Sequence, residues 1–187
     1  MELRISSGQF KNRKLNVSEN IRPVRERVKQ AIFSILDDKV ENAFVLDLFA
    51  GSGNLGLEAL SKGASKCIFV DDNFDSVKCL IENTSKIFGE TSEVDQDHSK
   101  FKIIKEDSTK FITNSHESFD LIFIDPPYEQ QIHHIIKFLD QVLNDNGIAV
   151  YFYSSESEND IEKLNPKLKI INTREYGATK VDFIVKI

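Results

Sequence analysis

No apolar run in this sequence approaches the roughly 20 residues that a membrane-spanning helix needs. The longest, such as residues 148–153, are much shorter. The first residues place Glu2, Arg4 and Lys11 among polar neighbours, without the apolar stretch of a secretory leader. A cytoplasmic protein is therefore expected. Cysteine is scarce: Cys67 and Cys79 have no CxxC spacing and no histidines arranged around them, so two structural thiols and no metal site are expected. His133 and His134 are adjacent, face different directions on a helix and cannot form an i, i+4 metal pair. His98 and His116 fall in polar stretches, and no internal repeat is present. An excess of basic charge is also missing. The net charge of −6 argues against a polyanionic partner, until its distribution is considered. Residues 1–30 hold eight basic residues (Arg4, Lys11, Arg13, Lys14, Arg22, Arg25, Arg27, Lys29) against Glu2, Glu19 and Glu26, a net +5 that leaves −11 for the rest. A basic head on an acidic body points to a localised polyanion contact.

At 187 residues and 40% hydrophobic, the chain suits one globular domain with room for a small appendage. From residue 44 onward, short β-rich runs alternate with helical patterns. Residues 44–49, 67–70, 101–104, 121–124 and 148–153 read as buried parallel strands, and 55–60, 75–88 and 132–143 as helices. The tail adds strands at 167–173 and 179–187, joined through Tyr176 and Gly177 as an antiparallel hairpin at one sheet edge. The expected fold is α/β, a doubly wound, seven-stranded Rossmann-like sheet, at 39–187. Before it, residues 1–38 form a small β/helix extension: strands at 3–5 and 14–17 around Gly8, then a helix from Pro23 to about Leu36. Val24, Val28, Ala31, Ile32, Ile35 and Leu36 line that helix's apolar face, which leaves Arg25, Arg27 and Lys29 for solvent or a partner. Residues 89–100 are polar and acidic and read as an exposed loop.

Between the first strand and helix lies Asp47-Leu-Phe49-Ala-Gly51-Ser-Gly53-Asn-Leu-Gly56. Its glycines spell GxGxxG, and a dinucleotide would place its pyrophosphate at the helix N-terminus and its ribose on Asp71. Asp47 opposes that reading, because it directs negative charge toward an anionic group. S-adenosylmethionine turns the same charge into an attraction, since it carries an ammonium, a sulfonium and no phosphate. Asp47 is then expected to hold the ammonium, while Phe49, Gly51 and Gly53 form the loop around the methionine portion. Asp71, with Asp72 as alternate, accepts from the ribose hydroxyls. Asp107-Ser108 either reaches the adenine or caps a helix.

The strand at 121–124 runs into Asp125-Pro126-Pro127-Tyr128, at the carboxyl end of the sheet. Two prolines stiffen the turn and donate no N–H, so it offers only acceptors. An exocyclic base amino group is a poor nucleophile because its lone pair is delocalised. Hydrogen bonds from that group to Asp125 and the Pro126 carbonyl favour a tetrahedral nitrogen, and Tyr128 stacks on the base.

The sequence resembles the RsmD family of bacterial 16S ribosomal RNA guanine-N2 methyltransferases. The resemblance runs through residues 4–15, 22–33 and 45–60, Asp125 to Tyr128, and Tyr176-Gly177. It implies a class I methyltransferase fold, S-adenosyl-L-methionine as cofactor, and a monomer acting on 16S rRNA, within a small ribosomal subunit or its assembly intermediate. It also implies that the N-terminal extension engages RNA, through Arg4, Lys11, Arg13, Lys14, Arg22 and Arg25 in the present sequence. The family usually carries Thr at the place of Val24, Gly at Asn12 and Glu at Asp71. The alternatives are an N6-adenine methyltransferase on DNA or RNA, an NAD-dependent oxidoreductase, and a non-catalytic RNA-binding module.

Overall fold

The computed structural model describes residues 3–17, 23–89, 100–127, 132–157 and 160–187. Arg22, Tyr128, His98 and nearly all of the predicted acidic loop lie outside these residues.

Seven strands form the central sheet: β3 (Phe44–Leu48), β4 (Lys66–Asp71), β5 (Phe101–Lys105), β6 (Phe119–Ile124), β7 (Leu143–Ser154), β8 (Leu168–Tyr176) and β9 (Thr179–Lys186). Their order is β5-β4-β3-β6-β7-β9-β8. The first five are parallel, and β9 runs antiparallel to both β7 and β8. The chain builds outward from β3 to β5, then returns to place β6 on the other side of β3. The carboxyl ends of β3 and β6 thus flank a topological switch point, where open α/β sheets bind ligands.

Strand alternation sorts side chains into two layers. Val45, Phe69, Leu121 and Phe123 face one cluster, which also holds residues of α2 (Asn54–Ser61) and α3 (Phe74–Phe88). Leu46, Ile68, Ile122 and Ile124 face the other, beneath α4 (Ser108–Asn114), α5 (His133–Val142) and α6 (Ile161–Leu164). Burial on both faces explains why these strands read as nearly unbroken apolar runs. The short helices α4 and α6 lacked a recognisable periodicity. Cys67 and Cys79 are both buried and neither is in a disulfide. No helix among the described residues is long and apolar enough to cross a membrane.

The N-terminal segment contributes β1 (Leu3–Arg4), paired antiparallel with β2 (Lys14–Leu15), and α1 (Glu26–Leu36). Leu3, Ile5, Leu15, Ile32 and Phe33 enter the same hydrophobic cluster as Val45 and Phe69. The turn between β1 and β2 lies on α2: Gln9 N–H donates to the Ser61 carbonyl at 2.8 Å, and a Cβ at Gly8 would meet that oxygen at 1.8 Å. Asn12 sits at φ 69°, a left-handed conformation that asparagine tolerates better than most residues, and where the family resembled usually has glycine.

Two expectations for α1 need correction. The helix begins at Glu26, with Arg25 as its N-cap, rather than at Pro23. Its buried face is Val28, Lys29, Ile32, Phe33 and Leu36, whereas Ile35 is exposed. Lys29 is not available to solvent or a partner: it is fully buried, with Nζ 2.9 Å from Glu58 Oε2, and it donates to Asn54 Oδ1 at 2.9 Å and to the Arg4 carbonyl at 2.6 Å. Glu58 also accepts from Ser6 N–H at 2.8 Å and from the Ser7 hydroxyl at 2.7 Å. An ammonium and a carboxylate with this many partners can be buried together, but neither can be buried alone. Lys29→Met is expected to cost about 3–5 kcal/mol in urea unfolding, whereas Arg27→Met, at an exposed position of the same helix, stays within about 0.5 kcal/mol of wild type. Equal effects would show that the buried pair carries no special weight.

Candidate active site

The chain leaves β3 through a loop of unusual backbone conformations: Phe49 at φ 62°, Gly51 at φ 55° and Gly53 at φ 81°. A bulky non-glycine residue in the left-handed region is strained and persists where its surroundings hold it, most often at a functional site. Asp47, within β3, is almost fully buried and accepts from Gly56 N–H at 2.8 Å. Gly56 is the third residue of α2, whose N-cap, Gly53, has no side chain to offer. Asp47 thus performs the capping that a serine or aspartate at the N-cap would supply. Asp71, at the end of β4, accepts from Gly51 N–H at 2.8 Å and from Asn73 N–H at 2.9 Å. The amides of Gly51 and Gly56 are therefore engaged by the protein's own carboxylates.

The glycines divide by role. Gly51 lines the cavity beside the loop. A Cβ at Gly53 would lie 2.4 Å from Leu80 Cδ1, and one at Gly56 2.3 Å from the Phe69 ring. These two let α2 pack closely on α3 and β4, and Gly53 does not line the cavity.

The cavity, about 480 Å³, sits over the switch point, within the size range of small-molecule sites. Asp47, Phe49, Gly51, Asp71 and Asp72 line one part of it, and Asp125, Pro126, Pro127 and Arg25 another. The predicted cofactor and catalytic segments thus meet around one space. Asp107 and Ser108 do not line it. Asp107 is the N-cap of α4, accepting from Lys110 N–H at 2.9 Å, and Ser108 is buried. Arg4, Lys11, Arg13 and Lys14 are exposed on and between β1 and β2, away from the cavity lining, and Arg4 stands in register with Lys14. Tyr128 and Arg22 lie outside the described residues.

Several lining residues had no local signature. Ser52 belongs to the glycine loop, and its hydroxyl is buried without a hydrogen-bond partner among the described residues. Val24 and Pro23 come from the segment before α1, and Tyr176, Ala178 and Thr179 from the hairpin between β8 and β9. The Tyr176-Gly177 pair was visible as a turn, not as part of a site more than 50 residues upstream.

Negative charge dominates the electrostatics. Burial, then the nearby charges of Asp125 and Asp71, holds the Asp47 carboxyl well above its ordinary range, against the lowering effect of the Gly56 amide. Burial likewise raises Asp71, opposed by the Gly51 and Asn73 amides. Asp125 is half-buried at the cavity wall, and desolvation pushes it up to about 7. No group of three or more His, Cys, Asp or Glu among the described residues is arranged to hold a metal ion. A site in which several carboxylates are held against their preference for water suits a cationic ligand.

The family profile described as conserved hypothetical protein 95 matches residues 3–185. The putative rRNA methyltransferase YlbH of Bacillus subtilis is 32% identical over 186 residues, 96% of each chain. The ribosomal RNA small subunit methyltransferase D of Escherichia coli is 29% identical over 166 residues, 86% of this chain and 78% of its own. Among solved structures, the putative methyltransferase yhhF from Escherichia coli superposes with a TM-score of 0.85 over 100% of this chain and 98% of its own, at 23% identity. That last likeness is one of fold.

The raised Asp125 value has a consequence for stability. Between the ordinary carboxylate value of 3.8 and about 7, the folded protein binds a proton at Asp125 that the unfolded chain has released. That contribution is fully present below the lower value and is lost as pH rises through about 7. Asp125→Asn removes the loss, so its melting temperature is expected to exceed that of wild type at pH 8 and to match it near pH 4. Parallel pH curves for the two proteins in thermal melts would refute the desolvated carboxylate.

Proposed function

The chain belongs to the RsmD family, that of the conserved hypothetical protein 95 profile and the ribosomal RNA small subunit methyltransferase D relatives, and we propose that it methylates the N2 amino group of a guanine in small-subunit ribosomal RNA. The single observation that carries this reading is the meeting of the Asp125-Pro126-Pro127 turn with a carboxylate-lined cavity whose loop amides are already engaged. An NAD-dependent oxidoreductase would have to place an anionic pyrophosphate against the carboxylates of Asp47, Asp71 and Asp125.

The residues present fit S-adenosylmethionine. Asp47 keeps one carboxylate oxygen for an ammonium, and the Ser52 hydroxyl lacks a partner among the described residues. Asp71, held by the Gly51 and Asn73 amides and by the Ser76 side chain, lines the cavity as an acceptor for the ribose hydroxyls, with Asp72 beside it. Bound there, the cofactor supplies a methyl group already activated by its sulfonium.

The protein's part is positioning and proton handling. Asp125 accepts one amino N–H of the base and the Pro126 carbonyl the other, which draws the nitrogen lone pair out of the ring. The stiff turn holds both acceptors still, and the desolvated surroundings strengthen both bonds. As the new N–C bond forms, the nitrogen becomes cationic and gives up a proton. A carboxylate poised near 7 accepts it and passes it to solvent. The exposed cations Lys11, Arg13 and Lys14 of the N-terminal extension, and Arg25 at the cavity, supply phosphate contacts. The acidic remainder of the surface confines RNA to those residues.

The test combines binding with transfer. In calorimetry, S-adenosylhomocysteine is expected to bind and NADH not to bind. With radiolabelled S-adenosylmethionine and small ribosomal subunits from cells lacking the gene, wild type transfers label to a guanine. Asp125→Ala lowers that rate about 100-fold or more while homocysteine-product binding largely persists. The wild-type kcat/KM should rise with pH through about 7 as Asp125 ionises. NADH binding without S-adenosylhomocysteine binding would sink the methyltransferase reading.

A further inference from the structure

The sheet register brings one aromatic side chain, Tyr176, to the cavity that Asp125 lines, without any local sequence cue. Ile124, the last residue of β6, pairs with Tyr151 of β7, whereas β7 continues to Ser154, which pairs with Thr179. Three residues of β7 therefore extend beyond the level of Ile124, about 10 Å at strand rise. Tyr176 closes the hairpin opposite Thr179 at that same elevated edge. The turn is tied down by Ser155 N–H, which donates to the Ala178 carbonyl at 3.0 Å, and is made tight by Gly177 at φ 63°. A raised wall thus stands next to the strand that carries the Asp-Pro-Pro turn, and Tyr176 and Thr179 line the cavity from it.

Tyr176 is only partly buried. Its ring packs against the hydrophobic cluster, and its hydroxyl makes no hydrogen bond with a described residue. Pro126, Pro127, Pro23 and Val24 line the same cavity and have few donors to offer. Such a compartment cannot recognise a ligand by many hydrogen bonds. It suits a flat, polarisable group that loses its stacking neighbours on entry, as an extruded purine does. Arg25, exposed at the rim, is placed for the phosphate of the same nucleotide.

We propose that Tyr176 is the platform on which the target purine stacks, holding its amino edge toward Asp125. This rests on the methyltransferase reading above and adds a substrate-contacting residue from the opposite end of the chain. Stacking uses the ring, not the hydroxyl. The ordering of substitutions therefore follows aromaticity rather than hydrogen-bonding capacity.

The experiment measures methyl transfer to small ribosomal subunits from cells lacking the gene, with S-adenosylhomocysteine affinity measured on the same preparations. Tyr176→Phe is expected to stay within about threefold of wild type. Tyr176→Ala and Tyr176→Leu should lose about 10- to 100-fold in kcat/KM for the subunits, with cofactor-product affinity changed less than about twofold. Full activity of Tyr176→Ala would overturn the platform. So would Tyr176→Phe falling as far as Tyr176→Ala, or a parallel fall in S-adenosylhomocysteine affinity, which would mark a general disturbance of the hairpin. Absence of transfer by the wild-type protein would overturn the function itself, and that failure is distinct from a wild type that transfers and a Tyr176→Ala that does so equally well.

Discussion

The buried ammonium of Lys29 joins three parts of the chain at one point. It holds Glu58 and Asn54 on α2 and the Arg4 carbonyl on β1, while its own backbone belongs to α1. Desolvating a charge is costly enough that such a group stays only where its partners are all in place. The same cluster reaches the cavity. Asn54 accepts from Lys29 through its side-chain oxygen and donates from its side-chain nitrogen to the Val24 carbonyl at 3.0 Å. The segment that supplies Val24 and Arg25 is thereby tied to the first turn of α2, next to the glycine loop. Val24, Arg25 and Asn54, all of which line the cavity, are tied to one polar network, so the basic extension is part of the site's frame as well as a candidate RNA contact.

Charge organises the site at the next level. Asp47, Asp71 and Asp125 come from three neighbouring strands of a parallel sheet, whose carboxyl ends all open on the same edge. The first two are partly satisfied by backbone amides, and Asp125 has the least compensation. This gradient separates the roles. The amide-bonded carboxylates suit the cofactor, Asp47 its ammonium and Asp71 its ribose hydroxyls. The carboxylate near 7 suits a substrate that arrives with protons to share and leaves with one fewer.

The parallel strands were legible because burial on both faces removes polar residues from them, and the loop after β3 and the turn after β6 because each compresses its chemistry into a few consecutive positions. Other features depend on distant partners. A lysine in an amphipathic helix reads as solvent-facing, and only Glu58, Asn54 and a β1 carbonyl make Lys29 a core residue. Gly53 and Gly56 match a ligand-binding spacing, yet the side chains that require them are Leu80 on α3 and Phe69 on β4. Asp107 caps a helix only seven residues long, too short for a periodic pattern. Tyr176 enters the cavity through strand register, which no single segment encodes.

The central claim, that the acidic cleft and the Asp-Pro-Pro turn serve amino methylation of a ribosomal guanine, is tested most directly by nucleoside mass spectrometry of small-subunit ribosomal RNA from cells with and without this protein. The account predicts loss of one N2-methylguanosine, restored by the wild-type gene and not by Asp125→Ala. An unchanged set of methylated guanosines, or loss of N6-methyladenosine instead, would contradict it.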